Sequence, residues 1–225
     1  PAATLRKNYG AAAVQALVAK GYLHLQLVRQ ERDPLAGQTF PQDVPLRPTP
    51  EQRISLEAIE SRLEAPNGPG VFLLHGVTGS GKTEVYRQLA RAALTSKRQA
   101  LILVPEIALT PAIATSFRQA FGARVAVQHS GLSNGARHDQ WYRIRRGEVD
   151  VVVGTRSAVF APLPSVGLIV VDEEHDASYK QEESPRYHGR DVAIMRAKRS
   201  GALVVLGSAT PSLESYRHAT SGRYR

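Results

Sequence analysis

The sequence predicts an α/β fold over residues 49–225: a doubly wound, mostly parallel sheet with helices on both faces. Three observations predict it. Short runs of valine, isoleucine and leucine recur with little polar alternation, as strands covered on both faces require. Segments of helical periodicity separate those runs, the alternation that produces parallel strands. A glycine-rich turn follows the first run and opens a helix. The 225 residues are 42% hydrophobic and 22% charged, which is globular composition and not that of a disordered chain. At this length a core needs no covalent staples.

The elements follow in chain order. The sequence opens on Pro1, not Met, and is expected to be an excised or processed piece. Leu5, Tyr9, Ala13, Val14, Leu17 and Val18 recur at helical spacing, so one helix is expected from Leu5 to Lys20, stopped by Gly21. Tyr22, Leu23, Leu25 and Leu27 then alternate with His24 and Gln26 as a strand does. One helix and one strand bury no core of their own. Residues 33–48 carry Pro34, Pro41, Pro45 and Pro48 and read as an extended linker. Thr49 is placed to cap a helix that has Pro50 in its first turn and runs to about Glu64. Six strands are expected at residues 71–75, 100–104, 124–128, 149–153, 167–171 and 202–206.

Composition excludes several classes. There is no cysteine, so disulfides, cysteine nucleophiles and thiolate zinc sites are ruled out within these residues. No apolar run approaches the ~20 residues of a membrane span, and no membrane partner is expected. A cytoplasmic protein is the expectation. The net charge is +9, and arginine supplies 23 of the 29 positive residues. That excess suits either a polyanion partner or an ordinary solvated surface, and charge alone does not separate them.

Gly76-Val77-Thr78-Gly79-Ser80-Gly81-Lys82-Thr83 has the form G-x4-G-K-T. Its glycines let successive N–H groups turn toward one anion, and the following helix adds its positive end. Lys82 can reach the β- and γ-phosphates of a nucleotide, and the Thr83 hydroxyl can hold Mg²⁺. The apolar run 168–171 ends in Asp172-Glu173-Glu174-His175. Asp172 suits a Mg²⁺ ligand and Glu173 a group that orients the attacking water. Glu174 and Asp176 read equally well as solvated acids at the start of a helix. Together these motifs indicate an NTPase. Gln52, about two dozen residues ahead of the loop, could read an adenine edge. Gly154-Thr155-Arg156-Ser157 and Val104-Pro105-Glu106-Ile107 end strands with groups suited to a phosphate backbone, and Gly207-Ser208-Ala209-Thr210 ends the last with hydroxyls.

In this order the motifs resemble the series of superfamily 2 helicases and translocases. Gly76 through Tyr86, Leu103 through Ile107, Val153 through Ala158, Asp172-Glu173-Glu174-His175-Asp176 and Ser178-Tyr179-Lys180-Gln181 are more closely similar to the replication-restart (primosomal protein N′) family of DNA helicases. The likeness covers residues 49–217. It implies a RecA-like first motor lobe at 49–225, with 1–32 as the end of a winged-helix domain. It further implies an ATP- and Mg²⁺-dependent motor of 3′ to 5′ polarity, associated with the bacterial nucleoid, that acts on forks and single-stranded DNA. Single-stranded DNA-binding protein and the primosome's helicase-loading proteins are the implied partners.

Carried over by motif, Lys82, Asp172, Glu173 and His175 are catalytic, and Gln52 with residues 76–83 binds the nucleotide. Ser208-Ala209-Thr210 and His175 would couple hydrolysis to movement. Tyr179 to Arg190 matches the family's aromatic-rich loop. Tyr179 and Tyr187 with His188 offer stacking faces there, and Lys180, Arg186 and Arg190, with Arg156 nearby, offer charge to DNA, although the stretch also reads as a solvated loop. Pro185 stands where some relatives carry tryptophan, and Ala112 where glutamine is usual. The family's second lobe, its arginine finger and its zinc-binding cysteines have no counterpart in these residues. The isolated piece is therefore expected to turn over little ATP, with zinc confined to the remainder of the protein. A double-stranded DNA translocase and a nucleotide-binding scaffold without motor activity are the alternatives.

Overall fold

Six parallel strands in one sheet carry the larger unit of the molecule, Arg32–Arg225, and a smaller unit spans Pro1–Glu31. The computed structural model describes residues 2–25, 32–34, 43, 46–63, 70–106 and 111–225.

The strands are β1 (Val71–His75), β2 (Gln99–Leu103), β3 (Val125–Gln128), β4 (Val151–Gly154), β5 (Val166–Val171) and β8 (Leu203–Ser208). Their order across the sheet is β1-β8-β5-β2-β4-β3, with every neighbouring pair parallel. β5 is central, and its six residues are all buried. Alternate side chains of each strand feed two separate cores. On one face Ile102, Val153, Leu168 and Val170 pack with Leu56, Tyr86, Leu89 and Phe117. On the other, Leu101, Val152, Ile169 and Val171 pack with Ile144, Tyr179, Ala193 and Ala197. This is the double winding that the unalternating strands predict.

Helices α3 (Pro50–Leu63), α4 (Lys82–Thr95) and α5 (Pro111–Phe121) supply the first face; α6 (Asn134–Arg145) and α7 (Gly189–Ser200) supply the second. A short α8 (Leu213–Thr220) closes the larger unit. Thr49 caps α3 as expected, and Gln52 completes a reciprocal capping box. The Gln52 N–H donates to Thr49 Oγ1 at 3.3 Å, and the Thr49 N–H donates to Gln52 Oε1 at 3.0 Å. β1 has the expected limits, and those of the other strands differ from the expected ones by no more than two residues, as chain ends of elements do.

Three differences are larger. A small antiparallel hairpin, β6 (Lys180–Gln181) against β7 (Tyr187–His188), occupies a stretch expected as loop. Two-residue strands leave no periodicity to detect. In the smaller unit, the expected single helix from Leu5 to Lys20 is two: α1 (Ala2–Tyr9) and α2 (Ala11–Ala19). Gly10 divides them at φ 83°, a left-handed value that an α-helix cannot contain. The expected strand at 22–27 is absent among its described residues, where Tyr22 and Leu25 are exposed. Val14 is the buried side chain of this unit among the described residues, in keeping with a segment too small for a core. Gln26, Leu27, Pro41, Pro45, Glu64, Ile107 and Thr110 lie outside the described residues. Among the described residues no helix is long and apolar enough to cross a membrane.

Candidate nucleotide site

Parallel strands align their carboxyl ends, so the loops after β1, β4, β5 and β8 gather on one edge of the sheet. The stretches beginning at Gly76, Gly154, Asp172 and Gly207 lie there. The loop after β1 is tied to the end of β8, where the Gly76 N–H donates to Ser208 O at 3.1 Å. Gly79 and Gly81 take φ of 78° and 81°, the left-handed conformation that a phosphate-cradling turn asks of glycine. At Gly81 a side chain would also meet Gln52 Nε2. The N–H groups of Gly79, Gly81, Lys82 and Thr83 make no hydrogen bond among the described residues, and three of them begin or precede α4. Lys82 folds back over the loop, its Nζ donating to Gly76 O at 2.8 Å and lying 3.7 Å from Glu173 Oε1. Free donors, a helix N-terminus and a lysine over one turn suit the phosphates of a nucleotide.

A cleft of about 230 Å³ opens beside the loop, lined by Thr49, Gln52, His75, Gly76, Ser80 and Lys82 among others. Gln52 thus borders the site as the sequence suggested. Its amide is engaged within the protein, with Oε1 in the capping box and Nε2 donating to Ser80 O at 2.8 Å.

Asp172 and Glu173 leave the end of β5. Glu173 has φ 44°, a strained value for a non-glycine residue. Burial pushes the Asp172 carboxyl above its ordinary range. The Tyr86 hydroxyl works against that shift by donating to Oδ1 at 2.8 Å, while the Glu173 charge reinforces it. Burial raises Tyr86 itself well above the usual tyrosine value. A divalent cation beside Asp172 would favour the ionised carboxylate that burial disfavours. His175 lies between the box and the last strand: Nδ1 is 2.8 Å from Ser208 Oγ, and Nε2 is 3.3 Å from Thr210 Oγ1. The structure therefore brings together Lys82, Asp172, Glu173, His175 and the Ser208–Thr210 stretch.

Three expectations for the aromatic-rich segment need correction. Tyr179 offers no stacking face. Its side chain is fully buried in the second core, and its hydroxyl donates to the Asp172 carbonyl at 2.7 Å. Arg190 does not face solvent as a phosphate contact would. It sits inside, donating to Glu174 Oε2 and Ser212 Oγ, both at 2.9 Å. Arg156 spends one nitrogen on the loop itself, donating to the carbonyls of Ser178 at 2.8 Å and Lys180 at 2.6 Å. Lys180 and Arg186 are exposed, and half-buried Tyr187 meets the edge of the exposed Phe160 ring at 5.1 Å between centroids. Those groups remain open to a ligand.

Sequence reasoning missed Tyr86 and undervalued Glu174. In the sequence Tyr86 ends the motif run from Gly76, four residues after Lys82, and nothing there points to Asp172. Glu174 is no solvated acid, being fully buried. Burial opposes its ionisation, but the Ser212 N–H, Arg190 and Ser215 hold its carboxyl below the usual range.

Comparison with known proteins finds relatives along the whole chain. The model of the DEAD/DEAH box helicase family matches residues 49–219. Replication restart protein PriA of Bacillus subtilis is 50% identical over the whole chain, which spans 28% of that protein. The Haemophilus influenzae protein of the same name is 41% identical over 97% of the chain, which spans 30% of it. The chain thus covers under a third of the length of these curated relatives. Among solved structures, that of RecG bound to a three-way DNA junction matches 80% of the chain and 23% of its own, with a TM-score of 0.57 and 22% identity, a likeness of fold.

Proposed function

The chain belongs to the DEAD/DEAH box helicase family, and from that premise we propose that it is the ATP-binding lobe of a DNA helicase that restarts replication. The observation that carries the reading is the meeting of Lys82, Asp172, Glu173 and His175 at the carboxyl edge of the sheet, with the hydroxyls of Ser208 and Thr210 in contact. The likeness to PriA over the whole chain supplies the biological setting. On this reading the loop N–H groups and Lys82 bind the β- and γ-phosphates. Thr83 and Asp172 would hold Mg²⁺, which when bound offsets phosphate charge. Glu173 orients water and accepts its proton as the water oxygen attacks the γ-phosphorus and the bond to the β-γ bridging oxygen breaks, releasing ADP and phosphate. His175 senses that change and relays it to Ser208 and Thr210.

DNA is the polyanion partner on this reading, held by Lys180 and Arg186 beside the Tyr187 ring. Forks and single strands are the substrates, 3′ to 5′ the polarity, and single-stranded DNA-binding protein and helicase-loading proteins the partners at the nucleoid. The test is ATP turnover of the full-length protein with and without single-stranded DNA. Turnover should rise severalfold with DNA and fail without Mg²⁺. Turnover that ignores DNA would overturn the helicase reading in favour of a nucleotide-binding scaffold.

A further inference from the structure

One buried carboxylate joins three segments of different role. Glu174 stands two residues after Asp172, Arg190 two after His188 at the end of the hairpin, and Ser212 two after Thr210. Glu174 Oε1 accepts from the Ser212 N–H at 2.7 Å. Its Oε2 accepts from Arg190 Nη1 at 2.9 Å, Ser212 Oγ at 3.1 Å and Ser215 Oγ at 2.8 Å. Arg190 Nη1 also donates to Ser212 Oγ at 2.9 Å, which closes the triangle. Glu174 is fully buried, and the Arg190 side chain is 14% exposed. Charged hydrogen bonds shielded from water are short and directional, so this junction is stiff. An ion pair of this kind is costly to bury, and apolar packing would pin the three segments as well. What the pair adds is a fixed direction between them.

We propose that Glu174 is a positioning residue: through Arg190 and Ser212 its carboxylate holds the Lys180–His188 hairpin and the Ser208–Thr210 segment in register with Asp172 and Glu173, so that DNA on the hairpin is read at the nucleotide site. The proposal rests on the helicase reading above. Arg190, expected from sequence to touch DNA, becomes the inward arm of the hairpin.

The test uses the full-length protein carrying Glu174→Gln or Ser215→Ala, with ATP turnover measured at rising single-stranded DNA and DNA affinity measured by fluorescence anisotropy. For Glu174→Gln, basal turnover and DNA affinity should stay within about twofold while DNA-stimulated turnover falls about tenfold. Ser215→Ala removes one donor of several and should show the same pattern at about threefold. Should Glu174→Gln fail to fold, Ser215→Ala decides alone. Basal and stimulated rates falling in proportion would mark a structural pin and overturn the proposal, as would unaltered stimulation in the variants. A wild-type protein that DNA does not stimulate would overturn the helicase reading, and this inference with it.

Discussion

Tyr86 reaches Asp172 because Gly207 has no side chain. A Cβ at 207 would fall on the Tyr86 hydroxyl, with the ring carbon behind it only 2.8 Å away. Gly207→Ala should therefore destabilise the protein by about 1–3 kcal/mol, the usual range for overpacking. Chemical denaturation checks it, and adding Tyr86→Phe should recover only part, since the ring still crowds the methyl. At Lys82 the expectation is functional. Lys82→Ala should lower affinity for ATP with Mg²⁺ at least tenfold, about 1.4 kcal/mol, within the worth of a charged hydrogen bond. Titration calorimetry showing unchanged affinity in a natively folded variant would remove Lys82 from the phosphate site. Glu174 makes a prediction about acid. Its carboxyl titrates below the ordinary 4.5 in the folded protein, so its ionised form favours folding. That contribution is complete above about 4.5 and is lost as pH falls through the lower folded value. Urea midpoints measured from about pH 5 to about pH 3 should fall less steeply for Glu174→Gln than for the wild type; parallel slopes would show that Glu174 has no such role.

The element most dependent on its surroundings is the hairpin of Lys180–Gln181 and Tyr187–His188. Two residues a side do not hold a sheet in water, so its order comes from anchors at its base. Arg156 grips the carbonyls of Ser178 and Lys180 at its start, Tyr179 is sunk in the core, and Arg190 ties the chain after it to Glu174. Arg156→Ala should loosen the hairpin while leaving the sheet intact. Hydrogen exchange at Lys180 to His188 should quicken about tenfold, reflecting the loss of about 1–1.5 kcal/mol of hydrogen bonding, with β5 unaffected. Equal quickening in β5 would show that Arg156 supports the whole domain.

At the scale of the molecule, β5 is the spine, paired to β2 on one side and β8 on the other, with both faces packed. Ile169 is fully buried at its centre. Ile169→Ala should cost about 2–5 kcal/mol through lost burial and the cavity left behind. For a domain of this size that lowers the melting temperature by roughly 2–4 °C per kcal/mol, readable by calorimetry. A drop of under a degree would mean that the sheet relaxes to fill the space.

Much of this was legible in the sequence because it depends on local chemistry. Unalternating valine and leucine runs demand two covered faces, and glycines before Lys82 and Thr83 demand a turn that opens a helix. A parallel sheet then must collect its strand ends, and with them the motifs, on one edge. Burial was not legible where a polar or aromatic residue lies within a short irregular segment. Tyr179 and Glu174 have no periodicity around them and Arg190 stands in the first turn of α7, so side-chain type alone suggested solvent, a DNA base or a phosphate. Only the tertiary structure decides that Tyr179 fills the core and that Glu174 meets Arg190, because those partners lie in separate elements and the cost of burying their polar groups is met only when the elements pack together.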